Sequence, residues 1–389
     1  MAFLIGGANS AADTGYDIDY SLRFDGSSAK LHRAVSSAGN QKTWTFSGWI
    51  KRSNIGVAVN VFTAGADVSN RCHLDINASG TFQVEAKNSG TEVLKCEGGM
   101  KLVDPSAWYH IVWRVDTTDG TAANRSRVYI NGNLVTFSSN SYPDQNTDMA
   151  VNDDVQHAIS KRTWEDSNYF NGYMAELALI DGTSLAPSTF GESDEDSGIW
   201  KPKEFKDDVT FGTNGFYIYF LYSAIGNADE EAVGNVGADY SGEGNHYASL
   251  GIATTDRKTD TPTNNFATLN PLYITRNNDD GSYTEGNTKI SWVSDNDDKG
   301  IATSTIGVTA GKWYWEAKVT DVSRAIIGVG DATQMAQFSD AFYDHDPSYG
   351  MAVYLPNGNL QENNTSAADW ASDASDDDIV MLALDMDNH

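Results

Sequence analysis

The sequence predicts an all-β protein, an antiparallel β-sandwich followed by a second β-sandwich. Three observations predict it. Apolar and polar residues alternate with period two through many short runs, and long stretches with the 3.6-residue helical period are absent. Glycine (35 residues), asparagine and aspartate interrupt these runs at short intervals. Turn chemistry lies between the runs: Asn77–Gly80, Asn88–Gly90, and Asn131–Gly132, the strongest two-residue hairpin signal.

In the first block the expected strands are "TWTFSGWI" (43–50), "CHLDI" (72–76), "TFQVEA" (81–86), "WYHIVWRV" (108–115), "RVYI" (127–130) and "YMAELALI" (173–180). Within "WYHIVWRV", Tyr109, Ile111, Trp113 and Val115 share one face, and His110 is a packed or surface residue. One short helix is expected near Ala186–Glu192. From Glu192 the pattern dissolves into "ESDEDSGIWKPKEFKDD", which reads as a boundary. The middle region holds one apolar strand, "GFYIYFLY" (215–222), and "TDTPTNNFATLNPL" (259–272), an extended connector with two prolines. The second block carries "TKISWV" (288–293), "KWYWEAKV" (312–319), "AIIGVG" (325–330), "YGMAVYL" (349–355) and "DIVMLALDM" (378–386). Trp313, Trp315, Ala317 and Val319 share a face, as residues of a sandwich interior do. The expected organisation is an attachment segment at 1–17, a first sandwich at 18–200, a bridging region and connector at 201–275, and a second sandwich from 276 to 389.

Acidic residues number 54 and basic residues 26, a formal net charge of −28. A chain so anionic is repelled by nucleic acid and by anionic membrane surfaces. No apolar run reaches about 18 residues, so no membrane insertion is expected. The start "MAFLIGG" lacks the basic region of a secretory signal. Cys72 and Cys96, placed on the outer strands of a three-stranded meander, lie about two 4.8 Å spacings apart, too far for a disulfide. Free thiols fit folding in a reducing cytosol.

Ordered motifs carry two resemblances. "SLRFDGSSAKLHRA", "WTFSGWIKRS", "WYHIVWRVD", "RVYINGNLV" and "FNGYMAELALIDGTSL" together resemble a laminin-G-like, concanavalin A-like jelly-roll domain. That resemblance implies Trp49 and Trp113 in the core, and a ligand or Ca²⁺ site in the rim loops. "GKWYWEAKV", "IIGVG", "YGMAVYL" and "DDDIVMLALDMDN" resemble a SPRY domain, a protein-binding sandwich. That family continues past the last motif, so the polypeptide is expected to extend beyond His389. A native mass matching 389 residues would contradict this. The combination resembles structural proteins of tailed phages. It implies a non-enzymatic virion protein, folded in the host cytoplasm, that forms the proximal part of a tail fibre or adhesin. Its implied partners are other tail or head proteins, further copies of itself in a trimer, and a host-surface glycan or protein. The alternatives are a capsid decoration or head-fibre protein, a secreted Ca²⁺-dependent lectin, and a polysaccharide depolymerase whose active module lies beyond His389.

A glucanase on such a fold needs two acids at alternate positions of one strand. Asp153–Asp154 and Glu165–Asp166 are adjacent and so point to opposite faces, while Asp385 and Asp387 alternate but end a core-type strand. No G-x-S-x-G, H-E-x-x-H, P-loop or dinucleotide fingerprint is present, and the seven histidines are scattered. No cofactor is firmly indicated; the one candidate is Ca²⁺, with Asp295, Asp297 and Asp298 as candidate ligands and Asp279–Asp280 in another loop of the second block. Trp164, Tyr169 and Phe170, in a polar loop before the 173–180 strand, are candidate glycan contacts. Phe3, Leu4 and Ile5 form an apolar terminus suited to attachment and assembly. Deleting residues 1–7 is expected to leave a folded protein that fails to join particles, and normal particles carrying the truncated chain would refute that role.

Overall fold

The structure, a computed structural model, describes residues 15–226, 232–273, 281–292, 301–323, 325–330, 350–362, 365–367 and 371–387. The chain divides into two units, the first ending at Asn265 and the second taking up at Phe266.

The first unit contains β1 (Ser21–Asp25), β2 (Lys30–Ala34), β3 (Thr43–Arg52), β4 (Val59–Asp67), β5 (Asn70–Ile76), β6 (Phe82–Asn88), β7 (Thr91–Gly98), β8 (Tyr109–Asp116) and β9 (Ser126–Ile130). It continues with β10 (Asn133–Leu134), β11 (Ser139–Ser141), β12 (Gln156–Ile159), β13 (Asn171–Asp181), β14 (Gly191–Ser193), β15 (Trp200–Pro202), β16 (Phe216–Ile218), β17 (Ala248–Leu250) and β18 (Arg257–Lys258). One sheet runs β10-β9-β8-β3-β13-β1-β18, with β16 also on β13, and the other runs β11-β7-β6-β5-β4-β12-β2-β17. Asn131 and Gly132, at φ +47° and +76°, make the turn between β9 and β10, a conformation that favours this residue pair. Cys72 on β5 and Cys96 on β7 flank β6 and are buried free thiols.

Between the sheets, Trp44, Phe46, Ile111, Trp113, Met174 and Leu179 from one meet Phe62, Leu74, Phe82 and Val84 from the other, all fully buried. Trp44 and Trp113 pack edge to face with centroids 4.8 Å apart, and Phe46 stacks across on Phe62 at 4.6 Å. Trp49 is buried too, yet it lies on the opposite face of β3 from Trp44 and Phe46 because its parity along the strand is odd. There it joins Ile18, Trp108 and Tyr173 in a separate cluster. Trp49 and Trp113 are thus both core residues, as expected, but in different clusters. His110 shares that outer face, stacked on Trp49 at 4.7 Å, with Nδ1 accepting from Trp200 and Nε2 on Ser47 Oγ. Burial pushes His110 down to about 3, so it is a neutral packed residue.

The largest correction concerns residues 201–265, which do not bridge two domains. They supply β16 to the β13 edge, β17 to β2 and β18 to β1, so both sheets are completed by this stretch. Phe190, Phe205, Phe211 and Tyr217 cover the outer face of the β13 sheet. Nearly every residue of β3 and β13 is therefore buried, on both faces, and β13 reads as an almost continuous apolar run. The expected helix is a single 3₁₀ turn, Pro187–Thr189.

The first part of the expected connector is a strap. Asp260 accepts from Lys51 Nζ at 2.8 Å and Trp108 Nε1 at 3.0 Å, while its carbonyl accepts from Ser21 Oγ at 2.6 Å. Asn265 Oδ1 completes the cradle of Lys51, which is only 1% exposed.

The second unit contains β19 (Gly281–Thr284), β20 (Lys289–Trp292), β21 (Lys312–Lys318), β22 (Ile326–Gly330), β23 (Gly350–Tyr354), β24 (Asn359–Glu362), β25 (Thr365–Ala367) and β26 (Ile379–Asp385). β19 pairs β20, β21 pairs β26, and the others form a sheet in the order β22-β23-β24-β25. Trp313, Trp315 and Ala317 face Leu384, Leu382 and Val380, so the expected apolar face exists. Its tryptophans are half-buried, and Val319 is buried.

Replacing Asp260 by alanine leaves the Lys51 ammonium buried without its carboxylate, a change that costs about 3–5 kcal/mol. The expected result is a fall of roughly 10 °C in the Tm of the first unit by calorimetry. A shift of under about 3 °C would show that the strap contributes little.

Candidate functional site

Strand β13 breaks its alternation at one place. Ala175 pairs with Trp49 and Ala178 with Ser47, so Glu176 and Leu177 together oppose Gly48. Leu177 turns into the core and Glu176 lines a cleft on the outer side. The bulge crowds the residue opposite it: a Cβ on Gly48 would lie 2.5 Å from Leu177 Cδ2, so a larger residue there would make the Leu177 side chain shift. Glu176 holds φ +46°, an unfavourable conformation of the kind that concentrates at functional sites. The bulge also falls where β13 changes edge partner, from β1 (Leu22 opposite Met174) to β16 (Ile218 opposite Leu177).

Two phenols fill that gap. Tyr217 OH donates to Glu176 Oε1 at 2.9 Å, Tyr16 OH donates to the same oxygen, and the two hydroxyls are 3.1 Å apart. Glu176 is 3% exposed, and among the described residues no group meets its Oε2. Burial pushes its carboxyl up to about 8; the two phenols hold it back and the Glu204 carboxylate adds to the rise. Burial, with the neighbouring Glu176 charge, raises both phenols far above their ordinary range.

The cleft, of about 400 Å³, has a wall of four tyrosines: Tyr16, Tyr217, Tyr219 and Tyr240. Tyr217 and Tyr219 stack at 5.5 Å, and Tyr240 meets Tyr219 at 4.4 Å with planes inclined by 59°. Tyr219 and Tyr240 are half-buried, leaving part of each ring open. Asp239 sets this wall, accepting from the Tyr217 and Ser241 amides through Oδ1 and from Ser241 Oγ and the Asn245 amide through Oδ2. Asp17, Asp19, Glu204 and Lys206 complete the lining. A larger depression of about 480 Å³ at Gly39–Lys42 and Asp148 is wide open, bears no aromatic ring, and is crossed by a Lys42–Asp148 ion pair of 2.6 Å.

The glycan contacts expected from the sequence do not form a platform. Phe170 is fully buried, edge to face with Phe24 at 6.3 Å, because its place beside the end of β13 puts it in the core. Trp164 lies over the outer face of the other sheet, on His73 at 5.1 Å, with the Arg71 and Arg162 guanidiniums 4.6 and 5.5 Å from its ring. Arg162 anchors that loop on Asp75 at 3.1 and 2.5 Å. Tyr169 donates to Asp166 at 2.6 Å, with Lys161 over its ring. Asp385 pairs with Lys312, and Asp387 accepts from the Gly311 amide, both at the end of β26. Phe3, Leu4, Ile5, Asp279, Asp280, Asp295, Asp297 and Asp298 lie outside the described residues. Among the described residues no group of three His, Cys, Asp or Glu side chains could hold a metal ion.

Sequence reading missed this cleft. Its signals were a glutamate inside the apolar run "YMAELALI", and tyrosines alternating with Phe216 and Ile218 in "GFYIYFLY".

Residues 25–187, under half of the chain, match the family model described as the concanavalin A-like lectin/glucanases superfamily. This stretch forms a concanavalin A-like jelly roll. Of the residues lining the cleft, only Glu176 belongs to the matched part of the jelly roll. No curated protein matches the chain. Similar solved structures include a native heptameric SAP-like pentraxin from Limulus polyphemus, 15% identical over 44% of this chain and 80% of that one, with TM-score 0.34. The CBM40 of the Ruminococcus gnavus IT-sialidase is 14% identical over 40% and 92%, with TM-score 0.29. A putative carbohydrate-binding protein from Bacteroides ovatus is 15% identical over 63% and 60%, with TM-score 0.37. With TM-scores this low, none of them bears on what this chain binds.

The raised carboxyl of Glu176 has a sign-determined consequence for stability. Its contribution is fully present below pH 4.5, the ordinary value, declines as pH rises, and is gone above about pH 8. Glu176→Gln, neutral at every pH, is expected to remove that decline, so its Tm gains on wild type between pH 5 and 8. Parallel profiles would show that Glu176 titrates as an ordinary carboxyl.

Proposed function

We propose that this chain is a non-enzymatic recognition protein of a tailed-phage particle, the proximal part of a tail fibre or adhesin. It binds a saccharide of the host surface in the tyrosine cleft. The cleft carries the reading: Tyr219 and Tyr240, half-buried in its wall, leave apolar ring surface against which the C–H face of a sugar ring can pack, with Glu176 and Glu204 beside them for its polar groups. The ordered phage-type motifs and the strongly anionic charge support the placement, and the β21–β26 pair is consistent with the SPRY-like second domain. Each contact of this kind is weak, and several copies facing one surface multiply it. A trimer is the arrangement proposed. A capsid decoration or head-fibre location makes the same use of the cleft.

One observation favours a second reading. A buried carboxyl pushed up to about 8, with another acid close by, is what a glycosidase general acid requires. Against it, the next outward position along β13 is Ala178, so the strand lacks the paired acid.

The test is binding of the full chain to purified host-envelope saccharide. Tyr219→Ala and Tyr240→Ala are each expected to weaken it about tenfold, a loss of about 1.4 kcal/mol, while Trp164→Ala leaves it unchanged. Release of reducing ends by the wild type would replace this reading with the hydrolytic one.

A further inference from the structure

We infer that the ligand of the tyrosine cleft carries a cationic nitrogen, an ammonium group on a surface sugar or a quaternary ammonium substituent of a surface polymer. This rests on the reading of the cleft as the recognition site and specifies its chemistry.

The inference comes from comparing buried carboxylates. Asp256, Asp260, Glu85 and Asp75 each have a cation in place: Arg23 at 2.5 Å, Lys51 at 2.8 Å, Arg71 at 2.6 Å and Arg162 at 2.5 Å. Asp181 and Asp239 have none and instead receive donors on both oxygens. Asp181 is met by the Asn40 amide and Asn152 Nδ2 on Oδ1 and by the Asn214 amide on Oδ2, and Asp239 by the four donors already described. Glu176 follows neither pattern. Both of its donors converge on Oε1, and among the described residues neither a cation nor a donor reaches Oε2, although the side chain is as buried as the others and lines the cleft. Oε2 therefore opens onto the cleft with no partner of its own, and an incoming ammonium would supply it with both the charge and the N–H.

The surroundings select the same ligand. Asp17, Asp19 and Glu204 line the cleft against one cation, Lys206, whose ammonium lies 3.2 Å from Asp207. Tyrosine rings attract an ammonium through the ring quadrupole, and four of them, Tyr16, Tyr217, Tyr219 and Tyr240, line this cleft. The net charge of −28 disfavours an anionic ligand from a distance as well.

Binding of a cation at Oε2 favours the ionised carboxyl. The groups facing Glu176 are Tyr16 and Tyr217, both phenols held neutral, with Glu204 the nearby charge, so its own titration dominates the pH response. Affinity for a ligand that itself never titrates therefore rises with pH and levels off above about 8.

The test is calorimetric titration of the full chain with choline, with glucosamine and with N-acetylglucosamine. Choline or glucosamine is expected to bind at least tenfold tighter than the acetylated sugar. Choline affinity should rise about tenfold from pH 6 to 8.5, and both effects should be lost in Glu176→Gln. Preference for choline identifies the quaternary substituent, and preference for glucosamine the amino sugar. Should Glu176→Gln misfold, Tyr219→Ala must still weaken the binding of the amine about tenfold. Envelope saccharide that binds at the tyrosines while neither amine does would overturn the inference and leave the cleft reading standing. Amine binding as tight in Tyr219→Ala as in the wild type, or no binding of amine or envelope saccharide at all, would overturn both.

Discussion

The two-against-one bulge of Glu176 and Leu177 opposite Gly48 is the constraint on which the rest of the first unit turns. Without the extra residue, the outward positions of β13 would stay in step with β3 and no acid would stand on that face. With it, Leu177 keeps its place between the sheets and Glu176 is aimed outward at the joint between β1 and β16. Gly48 opposite leaves Leu177 its room, so the bulge is shaped from both strands. A carboxyl held at such a joint must find donors, and the two phenols that supply them, Tyr16 and Tyr217, come from opposite ends of the unit. The segment leading into β1 and the segment after β15 are thus tied to one atom.

The same economy of polar contacts organises the covered outer face. The stretch 201–265 buries an apolar sheet surface, and each place where it crosses a charged side chain is matched: Lys51 by Asp260, Arg23 by Asp256. Desolvated charges with good partners are costly to disrupt, so these pairs fix the path of the strap more than they add to stability. The cleft is the point on this face where matching stops, and the geometry there is set by Asp239 and the tyrosine stack rather than by a mobile side chain.

How much was legible follows from which forces act locally. Strands such as Tyr109–Asp116 and Lys312–Lys318 were read from period two because each buries one side-chain parity, and the Asn131–Gly132 turn because its positive φ values restrict the residues that fit. The free thiols followed from strand spacing alone. In the stretch 201–265 the strand that holds β16 was read, but its place on β13 was not, and β17 and β18 are two or three residues long, too short for any period to show; all three gain their stability from edges offered by distant strands. Trp164 and Phe170 looked alike as loop aromatics; one covers a cluster of charged side chains and the other fills the core, a difference decided by the path of the loop. The cleft was hidden for the same reason. Its residues lie at positions 16, 176, 204, 217, 219 and 240, and nothing short of the fold brings them together.

The most direct test of the central claim, that the bulge at Glu176 creates the recognition site, is a crystal structure of the chain soaked with host-envelope saccharide fragments. The account predicts a ligand ring against Tyr219 and Tyr240, with a polar group within hydrogen-bond distance of Glu176 Oε2. A ligand seated instead at Trp164, or at the open depression beside Asn40, with the tyrosine cleft empty, would contradict it.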